Sequence, residues 1–163
     1  MMKIVRIHQP EDLSEALNVI RKSFMTVADD FGITKENAAT NPAFATEEQF
    51  QEYMKKDLTL YGMIKNSTVI GCIVVEKAAD RDDCYYIERL AVLPEERHKG
   101  YGQSLLDFAV RTVVQSGGKR IEIGIINRHE VLKKWYLDNG FTITGTKKYD
   151  HLPFEVCFMA MDL

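Results

Sequence analysis

The sequence predicts a mixed α+β fold, with a mostly antiparallel sheet of about seven strands and about four flanking helices. Three strand-like segments between residues 58 and 92 are separated only by short polar turns, which favours antiparallel neighbours. An amphipathic helical segment separates the strand at 85–92 from the strand at 120–126, and a connection of that kind is typical of parallel strands. The length of 163 residues is that of one domain, which we assign to residues 1–163.

The first third of the chain predicts a strand, two helices and a loop. Residues 3–7 form a short strand, and Pro10 then suits the first turn of a helix. That helix has an apolar stripe at spacings of three and four residues, formed by Leu13, Ala16, Leu17, Ile20 and Phe24. We interpret most of residues 27–45 as loop, because acids, glycine and proline interrupt any period. Thr46 and Gln49 form a capping box that begins a helix ending near Lys56.

The remaining segments predict strands at 58–64, 68–77, 85–92 and 120–126 and a closing strand pair at 141–144 and 154–161. An apolar stripe predicts the helix that follows the strand at 85–92, and Gly117 and Gly118 end it. A further helix covers residues 130–139, with Gly140 at its carboxyl end.

A basic glycine turn lies between the strand at 85–92 and the helix that follows it. Gly100 and Gly102 have no Cβ, so the backbone there can approach a ligand closely. The first amides of a helix have no internal partners and attract anions, and Arg97 and Lys99 add positive charge. The turn therefore predicts a diphosphate site; the alternative is an ordinary turn with solvated basic residues. It has neither the dinucleotide-binding spacing nor the P-loop ending.

Arg97, Gly100 and Gly102 fill the pattern [RQ]-x-x-G-x-[GA], which resembles the acyl-CoA signature of the GNAT superfamily of N-acetyltransferases. The order of predicted elements also resembles the GNAT fold, in which a splayed parallel strand pair admits the coenzyme. The resemblance implies an acyltransferase that uses acetyl-CoA. The cofactor contacts that it implies are Leu90, Ala91, Val92, Arg97, His98, Lys99, Gly100, Tyr101, Gly102, Gln103 and His129. The family often has an asparagine where this chain has His129, so either this loop is rearranged or His129 takes over the contact.

The resemblance also implies the catalytic residues. Tyr136 occupies the tyrosine of the family's Y-x-x-x-G-F helix and would protonate the leaving thiolate; the alternative is an aromatic core residue. Glu88 is the candidate base, expected on the same strand face as Leu90, where burial would raise its pKa. Its alternative is a structural salt bridge. Glu122, on the adjoining strand, is the reserve candidate.

The acceptor side is predicted less directly. Asp29 and Asp30 would attract a cationic amine, although solvated loop acids are the simpler interpretation. Tyr149 and His151 lie in the turn between the last two strands, which borders the acceptor site in the resembled family. His151 would then contact the substrate or accept a proton; a surface turn is the alternative. Phe154 is assigned to core packing.

The function expected from these residues is transfer of an acetyl group from acetyl-CoA to a primary amine. Direct attack in a ternary complex is favoured, because no cysteine lies at residues 90–92 or in the glycine turn to carry the acyl group. The alternative from another class is a non-catalytic acyl-CoA-binding sensor or interaction module on the same fold.

Composition bounds the partners and the location. The formal charge of −3 gives no case for nucleic acid, and no apolar run approaches the ~20 residues of a membrane helix. The amino terminus lacks the apolar core of a secretory signal, so a cytoplasmic location is expected. Three cysteines without metal-ligand spacing predict buried reduced thiols and no metal. A homodimer that pairs through sheet edges is compatible with the resemblance.

Overall fold

The computed structural model describes residues 2–163 and contains a seven-stranded sheet in the order β1-β2-β3-β4-β5-β7-β6. Five neighbouring pairs are antiparallel, and β4 pairs with β5 in parallel. The predicted fold class is therefore confirmed. In chain order the elements are β1 (Met2–Arg6), α1 (Pro10–Asp30), α2 (Glu47–Tyr53), β2 (Leu58–Lys65), β3 (Thr68–Lys77), β4 (Cys84–Val92), α3 (Tyr101–Gln115), β5 (Arg120–Ile126), α4 (Glu130–Asp138), β6 (Thr142–Lys148) and β7 (Glu155–Asp162).

The core surrounds the central strand β3. Every residue from 69 to 75 is buried, which requires cover on both faces of the sheet. Helices α1 and α3 both pack against β3 and β4 and supply that cover. Leu17 and Ile20 of α1 and Leu105 and Leu106 of α3 are almost fully enclosed. The apolar stripes predicted from the sequence are thus the faces that these helices bury.

Strands β4 and β5 pair only over their first three residues, from Cys84 opposite Arg120 to Tyr86 opposite Glu122. Beyond Tyr86 the two strands have no register partners in each other. Each remains held by its outer neighbour: β4 by β3, and β5 by β7 along its whole length. The sheet therefore opens into a V toward the carboxyl ends of β4 and β5.

A β-bulge interrupts β4 at Arg89. Between Glu88 and Ala91 the strand has one residue more than the matching stretch of β3, and Arg89 has a left-handed φ of 52°. Because facing residues share one side of a sheet, Glu88 lies on the face of Ala91 and not on that of Leu90. The prediction that Glu88 and Leu90 share a face of the strand is wrong, because it assumes an uninterrupted strand.

The segment at 27–45 contains more helix than the sequence indicates. Helix α1 continues to Asp30, where the amide of Phe31 donates to the Val27 carbonyl at 3.0 Å. After turns, residues 42–44 form one turn of 3₁₀ helix. The segment is compact because four of its side chains form a small buried cluster: Ala28, Ile33, Ala38 and Ala43. Their irregular spacing in the sequence gives no helical or strand period that would predict the cluster.

Other features of the fold concern the sheet edge, the thiols and the helices. Every residue of the edge strand β6 is exposed. Cys72, Cys84 and Cys157 are buried free thiols. None of the helices within residues 2–163 combines the length and the apolar character needed to cross a membrane.

Gly118→Ala is expected to lower the free energy of unfolding by about 1–3 kcal/mol, the usual cost of overpacking. The new Cβ would lie 2.8 Å from Cδ1 of Tyr85 and would also meet Val113, so the core must shift. Gly145→Ala is the matched control, because a Cβ there meets no atom within 4 Å. Urea unfolding measures both variants; equal stabilities would contradict the packing described.

Candidate active site

The turn before α3 has an unusual backbone. His98 and Gly100 both have left-handed φ values, 63° and 84° respectively. Glycine takes this conformation freely, but histidine does so at a cost, and such residues are concentrated at functional sites. Turns with left-handed residues can orient successive amides into a concave anion site. The turn therefore has the backbone required of an anion-binding loop.

The amides of residues 98–103 donate no hydrogen bond to any part of the chain from residue 2 to 163. The first amide of α3 with a backbone acceptor is that of Ser104, which donates to the Gly100 carbonyl at 3.1 Å. Gly100 occupies the N-cap position and has no side chain to satisfy these donors. The positive end of the dipole of α3 therefore lies open beside a row of free donors, which favours an anionic ligand.

The basic side chains of the turn already have partners. Nη2 of Arg97 donates to the carbonyl and the hydroxyl of Ser23, at 3.0 and 3.2 Å, and so joins the turn to α1. Lys99 and Lys65 pair with Glu96 at 3.0 and 3.1 Å. Their hydrogen bonds lower the pKa of Glu96. Because these basic side chains are already paired, the turn offers a ligand mainly its free backbone amides.

A cleft of about 660 Å³ extends from the turn into the V between β4 and β5. Its walls are mostly apolar and come from the diverging strands, α1 and α4, and its polar end is the glycine turn. Added Cβ atoms at Gly100 and Gly102 would meet nothing within 4 Å, so both glycines border open space. The wall residues include Phe24, Val27, Leu90, Val92, Ile125, Ile126, Leu132, Trp135 and Val156.

This geometry fits a long ligand that ends in a diphosphate. The free amides match phosphate oxygens, and the strand edges that face the V match a chain of amides through strand-like pairing. Most of the cofactor contacts predicted from the sequence line this one cleft. They are Leu90, Val92, Arg97, His98, Gly100, Tyr101, Gly102, Gln103 and His129. The predicted Ala91 is buried, and Lys99 is exposed outside the lining.

His129 lies at the start of α4 and lines the cleft. Its Nδ1 accepts from the amide of Leu132 at 3.4 Å, and its ring contacts Phe31 at a centroid distance of 4.9 Å. Burial lowers the pKa of His129, so its imidazole is neutral near pH 7 and Nε2 remains available as a donor. Asn127 does not line the cleft. Its side-chain Nδ2 donates to Oε1 of Glu155 at 2.7 Å.

Tyr136 lies behind the cleft wall and not in it. The side chain is 5% exposed and packs between Trp135 and Phe141, with ring centroids 4.9 and 5.3 Å away. Its hydroxyl makes no hydrogen bond with residues 2–163. Every fully enclosed side-chain polar atom among these residues does have a hydrogen-bond partner. The hydroxyl of Tyr136 is therefore not fully enclosed and retains slight access to solvent. Burial raises the pKa of Tyr136, which keeps it protonated.

Glu88 has a hydrogen bond in place of the salt bridge that was its alternative role. Its Oε2 accepts from the hydroxyl of Tyr53 at 2.6 Å. Glu76 of the neighbouring strand lies close to it: burial first, and then the charge of Glu88, raises the pKa of Glu76. Glu88 does not line the large cleft, but Tyr53 lines a smaller cavity beside it.

Glu122, the reserve base, belongs to an ion-pair network at the closed end of the V. Both of its carboxylate oxygens accept from Arg81 at 2.9 Å, and Oε2 also accepts from Arg120 at 2.8 Å. These hydrogen bonds lower the pKa of Glu122 to about 2. A carboxylate so strongly held in its ionised form is a poor proton acceptor at neutral pH.

The predicted acceptor residues lie outside the cleft lining. Asp29 and Asp30 are exposed at the end of α1. Tyr149 and His151 contact each other, at 5.5 Å between ring centroids, in the turn before β7. Phe154 packs against the buried cluster of Ala28, Ile33, Ala38 and Ala43, as the sequence predicts, and it also lines the cleft.

Sequence reasoning missed the contribution of α1 to the cleft, which comes from Ser23, Phe24 and Val27. An amphipathic stripe identifies the buried face of a helix but not the part of it that borders a ligand site. The pairing of Ser23 with Arg97 could not be anticipated either, because it joins residues 74 positions apart.

Comparison with known proteins gives one family and many similar folds. The model described as the acetyltransferase (GNAT) family matches residues 25–141. The ribosomal-protein-S18-alanine N-acetyltransferase from Escherichia coli has a TM-score of 0.77 at 14% identity, over 99% of this chain and 94% of that chain. PaiA N-acetyltransferase from Thermoplasma acidophilum, in complex with coenzyme A, has a TM-score of 0.72 at 22% identity, over 100% and 99%. IAA acetyltransferase from Bacillus cereus ATCC 14579 has a TM-score of 0.69 at 20% identity, over 100% of both chains. The chain matches none of the curated proteins with which it was compared.

Glu122→Gln is expected to lower the free energy of unfolding by about 1 kcal/mol at neutral pH. The native pKa of about 2 lies below the unfolded value of about 4.3, so the ionised pair stabilises the fold above the unfolded pKa. The difference between wild type and variant should be constant above about pH 5 and shrink as the pH falls from about 4 toward 2.

Urea unfolding between pH 7 and pH 3 makes this measurement. Glu52→Gln is the control. Within the described part of the chain Glu52 pairs only with the exposed Lys55, so this substitution should change the free energy of unfolding by less than about 0.5 kcal/mol. A Glu122→Gln effect that stayed constant down to pH 3 would show that the pair does not act through ionisation of Glu122.

Proposed function

Because this chain belongs to the GNAT acetyltransferase family, we propose that it is an N-acetyltransferase that moves an acetyl group from acetyl-CoA to a primary amine. The family predicted from Arg97, Gly100 and Gly102 is confirmed, as is the fold. The observation that supports the proposal most strongly is the row of free amides at residues 98–103, which opens into the V between β4 and β5.

The donor would bind along that V. The amides of residues 98–103 hold the diphosphate, and the neutral His129 adds a donor at the opposite wall. Main-chain groups of Leu90 and Val92 pair with the amide-containing arm as an added strand. The amide of Val92 polarises the thioester carbonyl and so stabilises the negative charge that develops on its oxygen.

The reaction requires a neutral amine and a proton for the departing sulfur. The amine nitrogen attacks the thioester carbon, so that a C–N bond forms and the C–S bond breaks. Glu88 accepts the amine proton through water, and Tyr136 donates its proton to the thiolate. The raised pKa of Tyr136 keeps it protonated until the thiolate forms.

Direct attack is favoured over an acyl-enzyme because the thiols are unsuited to nucleophilic catalysis. Burial raises the pKa of Cys72 to about 12, and it also raises the pKa of Cys84 and of Cys157. A thiol with a raised pKa is almost entirely protonated at neutral pH, and the thiolate is the nucleophile. None of the three lines the cleft.

One observation favours a second candidate, a non-catalytic acyl-CoA binder. Neither Tyr136 nor Glu88 lines the cleft. A binder needs the glycine turn and the V but neither of these residues.

A thiol-release assay with acetyl-CoA and a panel of primary amines separates the two candidates, with calorimetry as a parallel measure of coenzyme A binding. Release of the thiol that depends on the amine supports the transferase. Tight binding of coenzyme A without release for any amine would favour the binder.

Gly102→Val is expected to weaken coenzyme A binding at least tenfold while the thermal midpoint changes little. The side chain would enter open space and not the core, so it blocks the ligand without disturbing the fold. Gly145→Val is the matched control, since its position is also open but lies on β6, far along the chain from the turn. Calorimetric affinity equal to that of wild type would remove the phosphate role of this turn.

Tyr136→Phe is expected to lower kcat by about 10²–10⁴-fold with little change in coenzyme A affinity, because only the proton donor is lost. Tyr61→Phe is the control: Tyr61 packs against Phe108 and lines neither cavity. Steady-state kinetics decides the matter. If kcat survives in Tyr136→Phe, the donor must be another group or water.

A further inference from the structure

A second cavity lies beside the main cleft, on the other side of the β4 bulge. Its volume is about 190 Å³, and three segments line it: α1, residues 40–53 and Arg89. The same segments line the main cleft through neighbouring residues. Leu90 follows Arg89, Asn41 lies between two lining residues of the small cavity, and Ser23 is one turn of α1 beyond Ile20. The two cavities therefore lie close together, since neighbouring residues of the same segments line both.

Arg89 is the cation of this cavity. Its guanidinium lies 4.4 Å from the ring centroid of Tyr53, a stacked contact typical of arginine. The guanidinium makes neither a hydrogen bond nor an ion pair with residues 2–163, whereas the carbonyl of Arg89 accepts from Sγ of Cys72 at 3.6 Å. By contrast, Arg81, Arg97 and Arg120 donate to protein acceptors. Arg89 is half-buried, and the N–H donors of its guanidinium are open to solvent or to a ligand.

N–H donors that border a cavity and have no acceptor within the protein are available to a ligand that accepts hydrogen bonds. Arg89 also has the left-handed φ of 52°, and backbone strain of this kind is concentrated at ligand sites. A guanidinium can bind a carboxylate through two parallel hydrogen bonds, and Arg89 holds one over the ring of Tyr53 at the cavity.

The opposite charge lies at the hydroxyl of the same tyrosine. The hydroxyl of Tyr53 donates to Glu88, so a single side chain connects the guanidinium of Arg89 and the carboxylate of Glu88. A ligand that contains an anion and an amine a few bonds apart matches this pair of charges. Its amine would lie near Glu88, the proposed base, and its anion against Arg89.

We propose that the acceptor is a small amine that carries a carboxylate, a free α-amino acid with an apolar side chain, and that Arg89 binds the carboxylate. This inference rests on the proposed acetyl transfer, since it assigns the acceptor of that reaction. The remaining walls of the cavity determine the side chain: Leu17, Ile20, Pro42, Ala45 and Phe50 are apolar.

The volume of the cavity supports the size of this acceptor. At about 30 Å³ for each water, 190 Å³ corresponds to about six waters. That space accommodates a molecule of amino-acid size. The charge in the cavity also argues against a polyamine, because Arg89 would repel a second ammonium group. Asp29 and Asp30, which the sequence suggests could attract a cationic amine, do not line this cavity.

The test compares acceptors that differ only in the carboxylate. Thiol release from acetyl-CoA is measured with the twenty free L-amino acids and with decarboxylated counterparts, such as leucine against 3-methylbutylamine and phenylalanine against phenethylamine. The readout is the ratio of kcat/KM for acid to kcat/KM for amine within each pair. A ratio is insensitive to the amount of folded enzyme. Calorimetry with the coenzyme A complex gives the corresponding ratio of affinities.

Wild-type enzyme should prefer an apolar amino acid over its amine by roughly tenfold or more, the usual effect of a charged hydrogen-bond pair. Arg89→Gln should remove most of that preference through KM, and Arg89→Lys should retain part of it. Lys56→Gln is the matched control: Lys56 also lies over the Tyr53 ring, at 5.4 Å, but it is exposed and does not line the cavity. Its ratio should equal that of wild type.

Three outcomes would overturn the inference. These are a wild-type preference for the amines, the same ratio in wild type and Arg89→Gln, or no binding of any amino acid to the coenzyme A complex. Failure of the proposed function looks different. In that case no acceptor releases the thiol, while the calorimetric ratio and its loss in Arg89→Gln still support the carboxylate site.

Discussion

The constraint on which the site depends is that the amides of residues 98–103 have no acceptor among residues 2–163. The first amides of any helix have no internal partners, and here a turn with left-handed residues at His98 and Gly100 precedes them, so the row of donors favours an external anion. The rest of the architecture keeps these donors free. Arg97 joins the turn to α1 through Ser23, Gly100 leaves the N-cap without a side chain, and β4 and β5 separate in front of α3.

The second determinant of the site is the bulge at Arg89. It ends the regular alternation of β4, so that Leu90 faces the main cleft while Arg89 faces the smaller cavity. Glu88 consequently meets Tyr53 of α2. The proposed donor and acceptor sites would thus lie on either side of one irregular residue, which would account for a strained backbone in the middle of a sheet.

The fold and the glycine turn could be predicted because their signals are local. Strand segments separated by short turns, a helix between two strands and Arg97 with two glycines all appear in consecutive residues. The environment of Glu88 could not be predicted from the sequence. The bulge depends on the register between β4 and β3, and the hydrogen-bond partner Tyr53 lies 35 positions away along the chain. Tyr136 shows the same limit: its spacing to Gly140 identifies the helix, but only packing against Trp135 and Phe141 decides whether the hydroxyl meets the cleft.

The most direct test of the central claim is an amide ¹H–¹⁵N correlation spectrum of the protein titrated with coenzyme A. The resonances of residues 98–103 should show the largest shifts, since their amides would gain phosphate acceptors, and those of β6 should remain unchanged. Their exchange with solvent should slow in the complex. Unchanged resonances at 98–103 with shifts elsewhere on the chain would contradict the claim that this turn is the diphosphate site.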